Sequence, residues 1–305
     1  MKPPPFAYHA PRDLGEALET LAGVDGKVLA GGQSLIPMLN MRLAAPAHLV
    51  DINRLASLAV VEPRPDGVTV GALARHAEVA RAGVHPLLGQ ALRLVAHPVI
   101  RNRGTVVGSL VHADPAAELP AVLAVLDGSV RLARHGAGER DVPAREFFLG
   151  PMESAVRPGE LAVSAFFPAL PPRSGTAFRE VARRHGDYAL AGVCAVVTLD
   201  EDRRVAAARV ACVGVGPVPV MVDVTGACAG RAADPAGHPA DRAGRAADPA
   251  GWAAAVGAVR EATEPEGDVH ASAAYRLHLV GVLTGQALDE AARAAVRAAA
   301  EGRTG

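Results

Sequence analysis

Apolar positions recur along this chain with two periods, and the change of period separates helices from strands. In residues 13–21 they fall at helical spacing, with Leu14, Ala17, Leu18 and Leu21 on one face. Residues 27–30 then read as a short strand. Residues 35–43 read as a helix carrying Ile36, Leu39 and Leu43 inward, and 48–52 as a second strand. A strand–helix–strand run of this kind predicts local parallel pairing. Residues 58–62 and 68–71 flank Pro63-Arg64-Pro65-Asp66-Gly67 as a hairpin. Helical spacing returns in 74–82, 86–96 and 116–126. Residues 130–132 lead into a polar turn. Segments 160–167, 176–181, 191–199 and 205–213 alternate as strands, and helices at 252–262 and 272–299 follow. The latter half thus begins as antiparallel sheet and ends in helices.

Two glycine turns interrupt this pattern. One runs from Val28 to Pro37 around Gly31-Gly32, and the other from Arg101 to Leu110 around Gly104-Thr105 and Gly108-Ser109. Glycine lets the backbone turn sharply and lets an oxygen-rich ligand reach the main chain, whose free N–H groups hold phosphate oxygens. Alone, Gly31-Gly32 reads as an ordinary strand-to-helix turn. Gln33 and Ser34 after it, and Thr105 and Ser109 in the second segment, raise the reading to a dinucleotide cradle. No Gly-Lys-Ser/Thr and no Gly-x-Gly-x-x-Gly follows the first turn, which argues against a P-loop and a plain Rossmann site.

Two further polar stretches carry candidate chemistry. In His112-Ala113-Asp114-Pro115-Ala116-Ala117-Glu118, Pro115 breaks the helix that a paired metal site would need. Asp114 reads first as a helix N-cap and Glu118 first as an acceptor for ligand hydroxyls. Arg183-Arg184-His185-Gly186-Asp187-Tyr188 reads as a charged turn, with Tyr188 suited to cover a flat heterocycle. No Ser/His/Asp or Cys/His arrangement appears in a motif context, so no catalytic residue is assigned.

Composition narrows the class. With 305 residues, 50% hydrophobic and 21% charged, the chain is long enough for two domains with real cores. A formal net charge of -1 gives no global field for nucleic acid or an anionic membrane, and 3% aromatics make no base-stacking platform. The start lacks a secretory h-region, and no apolar stretch is long enough to span a bilayer. Cys194, Cys212 and Cys228 lie far apart and read as small buried apolar residues. The expectation is a cytoplasmic protein with no metal site of its own. The octapeptide at 230–237 recurs letter for letter at 244–251, and its Ala/Asp/Pro/Gly make-up predicts a mobile surface loop near 226–251.

These residues together resemble the FAD-binding medium subunit of the molybdenum hydroxylases, the aerobic carbon monoxide dehydrogenase and xanthine dehydrogenase group. The likeness is carried by Lys2-Pro3-Pro4-Pro5-Phe6-Ala7-Tyr8-His9, by 29–43, by His97 to Thr105, by 109–120, and by Gly186-Asp187-Tyr188-Ala189. Val213-Gly214-Val215-Gly216-Pro217 and Asp268 to Arg276 extend it toward the C-terminus. The resemblance implies an α+β fold: a two-lobed FAD-binding domain of the vanillyl-alcohol-oxidase/PCMH type at 1–172, then a smaller α/β C-terminal domain at 173–305. It implies FAD as cofactor, with Ala30, Gly31, Gly32, Gln33, Ser34 and Leu35 and Thr105, Val107, Gly108 and Ser109 on the diphosphate. Asp114 and Glu118 would hold ribose or ribityl hydroxyls, and Tyr188 would flank the isoalloxazine.

The family usually carries two glycines where Val106-Val107-Gly108 keeps one. A β-branched Val107 disfavours a left-handed backbone and predicts weaker FAD retention. The role implied is electron transfer, from a small 2Fe–2S subunit to an external acceptor. The substrate would be oxidised on a large molybdopterin subunit, in a dimer of heterotrimers. A free-standing flavin oxidoreductase and a degenerate structural subunit stay open as alternatives.

Overall fold

In a computed structural model, residues 2–233 and 249–301 are described, and they divide into two compact units. The first holds residues up to Asp114 together with Asp127–Pro168; the second holds Pro115–Leu126 and the chain from Ala169 onward.

The first unit runs β1 (Ala7–His9), α1 (Leu14–Gly23), β2 (Gly26–Leu29), α2 (Leu35–Asn40), β3 (His48–Asp51), β4 (Val61–Arg64), β5 (Gly67–Gly71), α3 (His76–Ala82), α4 (Pro86–Leu94), α5 (Pro98–Arg101) and α6 (Val106–His112). The excursion α7 (Glu118–Val125) belongs to the second unit. The chain then returns through β6 (Ser129–Arg134), β7 (Gly138–Pro143), α8 (Ala144–Phe147), β8 (Phe148–Gly150), β9 (Glu153–Ser154) and β10 (Glu160–Pro168).

β1, β3 and β2 form a parallel sheet in that order, so β2, α2 and β3 are the strand–helix–strand element that the apolar pattern predicts. β4, β5, β10, β6 and β7 form an antiparallel sheet, with a bulge in β10 between Ala162 and Ser164. Val68, Val70, Val130, Leu132, Ala165 and Phe167 are buried along it. Asp13 caps α1 by accepting from the Glu16 N–H, while Ala17 and Leu21 face the core. α2 departs from expectation: Leu39 is buried, but Ile36 is 41% and Leu43 69% exposed. The helix stops at Asn40 because Arg42 turns left-handed (φ 59). The Arg42 and Leu43 N–H groups then close onto the Leu39 and Met38 carbonyls, a Schellman end that carries Leu43 outward.

The second unit is built on β11 (Ser174–Ala182), β12 (Ala189–Leu199), β13 (Val205–Val213) and β14 (Val220–Asp223), antiparallel in that order. α9 (Thr225–Cys228), α10 (Ala253–Glu261) and α11 (Ala273–Glu301) follow. Alternate residues of β12 and β13 pack with Trp252, Val259, Leu283, Ala287 and Ala291 in one core. The intervening Cys194, Val196, Ala211 and Val213 are buried too, and α7 packs on β12, β13 and β14. A strand covered on both faces reads as a continuous apolar run, as 189–199 does. α11 approaches β11 so closely that a Cβ on Gly175 would fall 2.7 Å from the Ala294 carbonyl carbon, and closer still to Ala291 O and Ala295 N.

Where sequence predicts a loop near 226–251, residues 225–228 are helical. Gly230 and Ala233 donate to the Val205 and Arg203 carbonyls. Residues 234–248, which include most of the duplication, lie outside the described residues. No helix among the described residues is long and apolar enough to cross a membrane.

Candidate functional site

The two glycine turns meet. β2 ends at Leu29 and delivers Ala30 to Ser34 into the start of α2, and Gly31 is buried against the second turn. A Cβ on Gly31 would lie 2.8 Å from Gly104 Cα and closer still to the Arg103 carbonyl oxygen, so no side chain fits there. Gly32 is left-handed (φ 71), the conformation that glycine adopts without strain. Gln33 Nε2 donates to Gly31 O at 3.0 Å and braces the turn internally. None of the main-chain N–H groups from Ala30 through Leu35 donates to an acceptor among the described residues.

The second turn follows α5, where the Gly104 N–H closes onto Ile100 O at 2.7 Å. Thr105 is the N-cap of α6, its Oγ1 accepting from the Gly108 N–H at 3.0 Å. The Val106 N–H donates to Ala74 O and the Ser109 N–H to Thr105 O, whereas the Val107 N–H has no acceptor among the described residues. Val107 sits in the first turn of α6 with negative φ, and its side chain is 2% exposed. The expected backbone strain is therefore absent. A valine here fills the core and takes nothing from its own N–H, so the ground for weaker FAD retention falls away. Unspent N–H donors on two turns packed so closely that a Cβ cannot enter between them suit a diphosphate, whose oxygens accept hydrogen bonds without needing a side-chain cation.

Residues outside both turns hold them in place, and sequence reasoning passed over them. Asn53 Nδ2 donates to Ala30 O at 2.8 Å and to Asp51 Oδ1 at 2.6 Å, while Tyr8 Oη donates to Asp51 Oδ2. Partial burial pushes the Asp51 carboxyl up, but the hydrogen bonds from Tyr8 and Asn53 outweigh it and hold the group below the ordinary carboxylate range. Arg75 Nη2 donates to Asn53 Oδ1 at 2.7 Å and Nη1 to the Arg103 carbonyl. His76 is 3% exposed; its N–H donates to Gly104 O, and its Nε2 lies 3.0 Å from Ser109 Oγ. Burial, with the Arg101 and Arg75 cations nearby, brings the imidazole down to about 4, so it is neutral at pH 7. The one signal in the sequence was Arg75-His76 as a polar pair directly after the apolar stretch 70–74.

The remaining candidates are placed as follows. Asp114 is buried directly after α6, whose C-cap Ala113 is left-handed (φ 51). It is not an N-cap: Ala117 holds that position in α7, and Glu118 is the first residue of the helix, where a carboxylate suits the dipole. Glu118 and Tyr188 belong to the second unit. Tyr188 is 61% exposed in the turn from β11 to β12, beside left-handed Gly186 (φ 85) and the Arg183–Asp187 pair at 3.5 Å. Among the described residues no group of three or more His, Cys, Asp or Glu could hold a metal ion. The three cysteines are buried free thiols raised by desolvation, Cys212 to about 12 and Cys228 to about 11.

Comparison with known proteins gives the family. A family described as the FAD binding domain in molybdopterin dehydrogenase matches residues 4–170, and the CO dehydrogenase flavoprotein C-terminal domain matches 176–291. The 6-hydroxypseudooxynicotine dehydrogenase complex subunit alpha of Paenarthrobacter nicotinovorans is 40% identical over 297 residues, 95% of this chain and 96% of that one. The carbon monoxide dehydrogenase medium chain of Hydrogenophaga pseudoflava is 38% identical over 223 residues, 71% and 77% of the two chains. Among solved structures, quinoline 2-oxidoreductase from Pseudomonas putida 86 superposes with a TM-score of 0.86 at 34% identity, over 97% of this chain and 99% of the other.

Proposed function

The chain belongs to the FAD-binding flavoprotein subunits of the molybdenum hydroxylases, and from that premise we propose that it relays electrons inside a larger complex. It takes them from a 2Fe–2S subunit and passes them to an external acceptor, while a large molybdopterin subunit oxidises the substrate. The complex is a dimer of such heterotrimers. When bound, the flavin supplies a redox centre that exchanges electrons one or two at a time. The polypeptide's part is to bind and orient it, which needs no protein acid or base.

The observation that carries this reading is the wedge of Gly31 against Arg103 and Gly104, with unspent N–H groups on both turns. Ala30, Gly31, Gly32, Gln33, Ser34 and Leu35 offer main-chain donors to the diphosphate, as do Thr105 and Val107, while Gly108 and Ser109, whose N–H groups are taken up by Thr105, shape the second turn beside it. Asp114 and Glu118 accept from ribose or ribityl hydroxyls, and Tyr188 lies on the flavin ring.

Two measurements test this. Gly31→Ala should lower FAD occupancy of the purified chain at least about tenfold, because the new Cβ must push the turns apart. Wild-type occupancy in that variant would remove the cradle. Mixed with its partner subunits, the chain should show bleaching of its flavin absorbance on addition of the complex's substrate, and without them none. Turnover by the chain alone would instead make it a free-standing flavin oxidoreductase.

A further inference from the structure

The glycine turns belong to two separate stretches of chain, and something must fix the distance between them. Their contact at Gly31 is only a steric stop: it prevents closer approach and does nothing against separation. Three side-chain hydrogen bonds supply the opposing restraint. Asn53 Nδ2 holds the Ala30 carbonyl of the first turn at 2.8 Å. Its Oδ1 accepts from Arg75 Nη2 at 2.7 Å, and Arg75 Nη1 donates to the Arg103 carbonyl of the second turn. Both ends of the bridge are themselves anchored. The Asn53 N–H donates to Asp51 Oδ1 at 2.9 Å, and the Arg75 N–H to Glu78 Oε2 at 3.0 Å. The next residue, His76, donates its N–H to Gly104 O at 3.0 Å, so the strand-like segment bearing Arg75 is stitched to the second turn by its main chain.

We propose that the Asn53–Arg75 bridge is a latch that fixes the spacing of the two glycine turns, and that the affinity of the chain for a dinucleotide diphosphate depends on it. Both are positioning residues: neither lies in either turn, and both act through a main-chain carbonyl of a turn, Ala30 O for Asn53 and Arg103 O for Arg75. Arginine suits the task because its planar fork reaches two acceptors at once, which an ammonium cannot do with fixed geometry. Preorganised donors bind without the ordering cost that loose ones incur.

This inference rests on the cradle assigned above. It is tested in the full chain with FAD, with ADP as a diphosphate-bearing probe, and with riboflavin as a probe that lacks phosphate. Arg75→Met and Asn53→Ala should each weaken FAD and ADP binding about tenfold in parallel, leaving riboflavin affinity within about twofold. The unfolding midpoint of the flavin-free chain should stay close to the parent's. The double variant should lose little more than either single one, since both break the same bridge. Arg75→Lys should recover part of the loss. If Arg75→Met does not fold, Arg75→Lys and Asn53→Ala make the same comparison. Parent-like FAD affinity, additive losses, or loss of FAD with ADP unchanged would each overturn the latch alone. A parent chain that binds neither FAD nor ADP would overturn the cradle and the latch with it.

Discussion

His76 and Val107 illustrate how one residue's surroundings set its consequence. Desolvation brings the His76 imidazole to about 4, against about 6.5 in an unfolded chain, so between those values the unfolded state binds the extra proton. Stability therefore falls as pH drops from about 6.5 to about 4, by roughly 3 kcal/mol from this group, and no further below that. An acid titration of unfolding free energy should lose that slope in His76→Gln, and an unchanged slope would assign it elsewhere. Val107→Gly removes a buried isopropyl group and puts glycine inside a helix. It should destabilise the fold by about 3 kcal/mol in denaturant titrations, without tightening FAD. The meeting of the two turns was hinted at in sequence only by the polar residues beside them, Gln33, Ser34, Thr105 and Ser109, since the Gly31-Gly32 doublet alone reads as an ordinary strand-to-helix turn. The roles of Asn53 and of the Arg75-His76 pair were not, since a polar residue, single or paired, carries no sign of a partner more than twenty positions away.

At the scale of elements, alternation and helical spacing located most of the strands and helices, since burial of one face imposes the period. They failed where an element is short or its end is set by a local device. β1 is only three residues and gains its place by pairing with β3 through Ala7↔His48. α2 ends at the left-handed Arg42, a non-glycine that nothing in the apolar pattern marks, and so Leu43 faces outward. The Asp114 cap failed because α7 starts three residues later than its proline implied. The packing of α11 on β11 rests on one missing side chain. Gly175→Ala forces a methyl into the helix backbone and should cost about 2–3 kcal/mol, visible as a lower midpoint in urea. A midpoint equal to wild type would mean that the helix slides away freely.

For the whole molecule, the chain passes from one unit to the other after Asp114, returns after Leu126, and crosses again after Pro168. Only the last of these passages lies close to residue 172, where the resemblance places the boundary. The earlier detour was invisible in sequence because α7 is apolar on nearly every side, with Leu119, Ala121, Val122, Leu123 and Val125 all buried, and such a helix does not disclose which sheet it will cover. That detour bears on how the gene can be dissected. A truncation ending at residue 172 would strand α7 without its sheet, and the complementary fragment would bare the greasy surface around Cys194, Val196, Ala211 and Val213. Neither piece should remain monomeric in solution, whereas a synthetic peptide spanning 115–126 should rescue the C-terminal fragment. For anyone wishing to transplant this flavoprotein in halves, the scissors belong nowhere along the linear map.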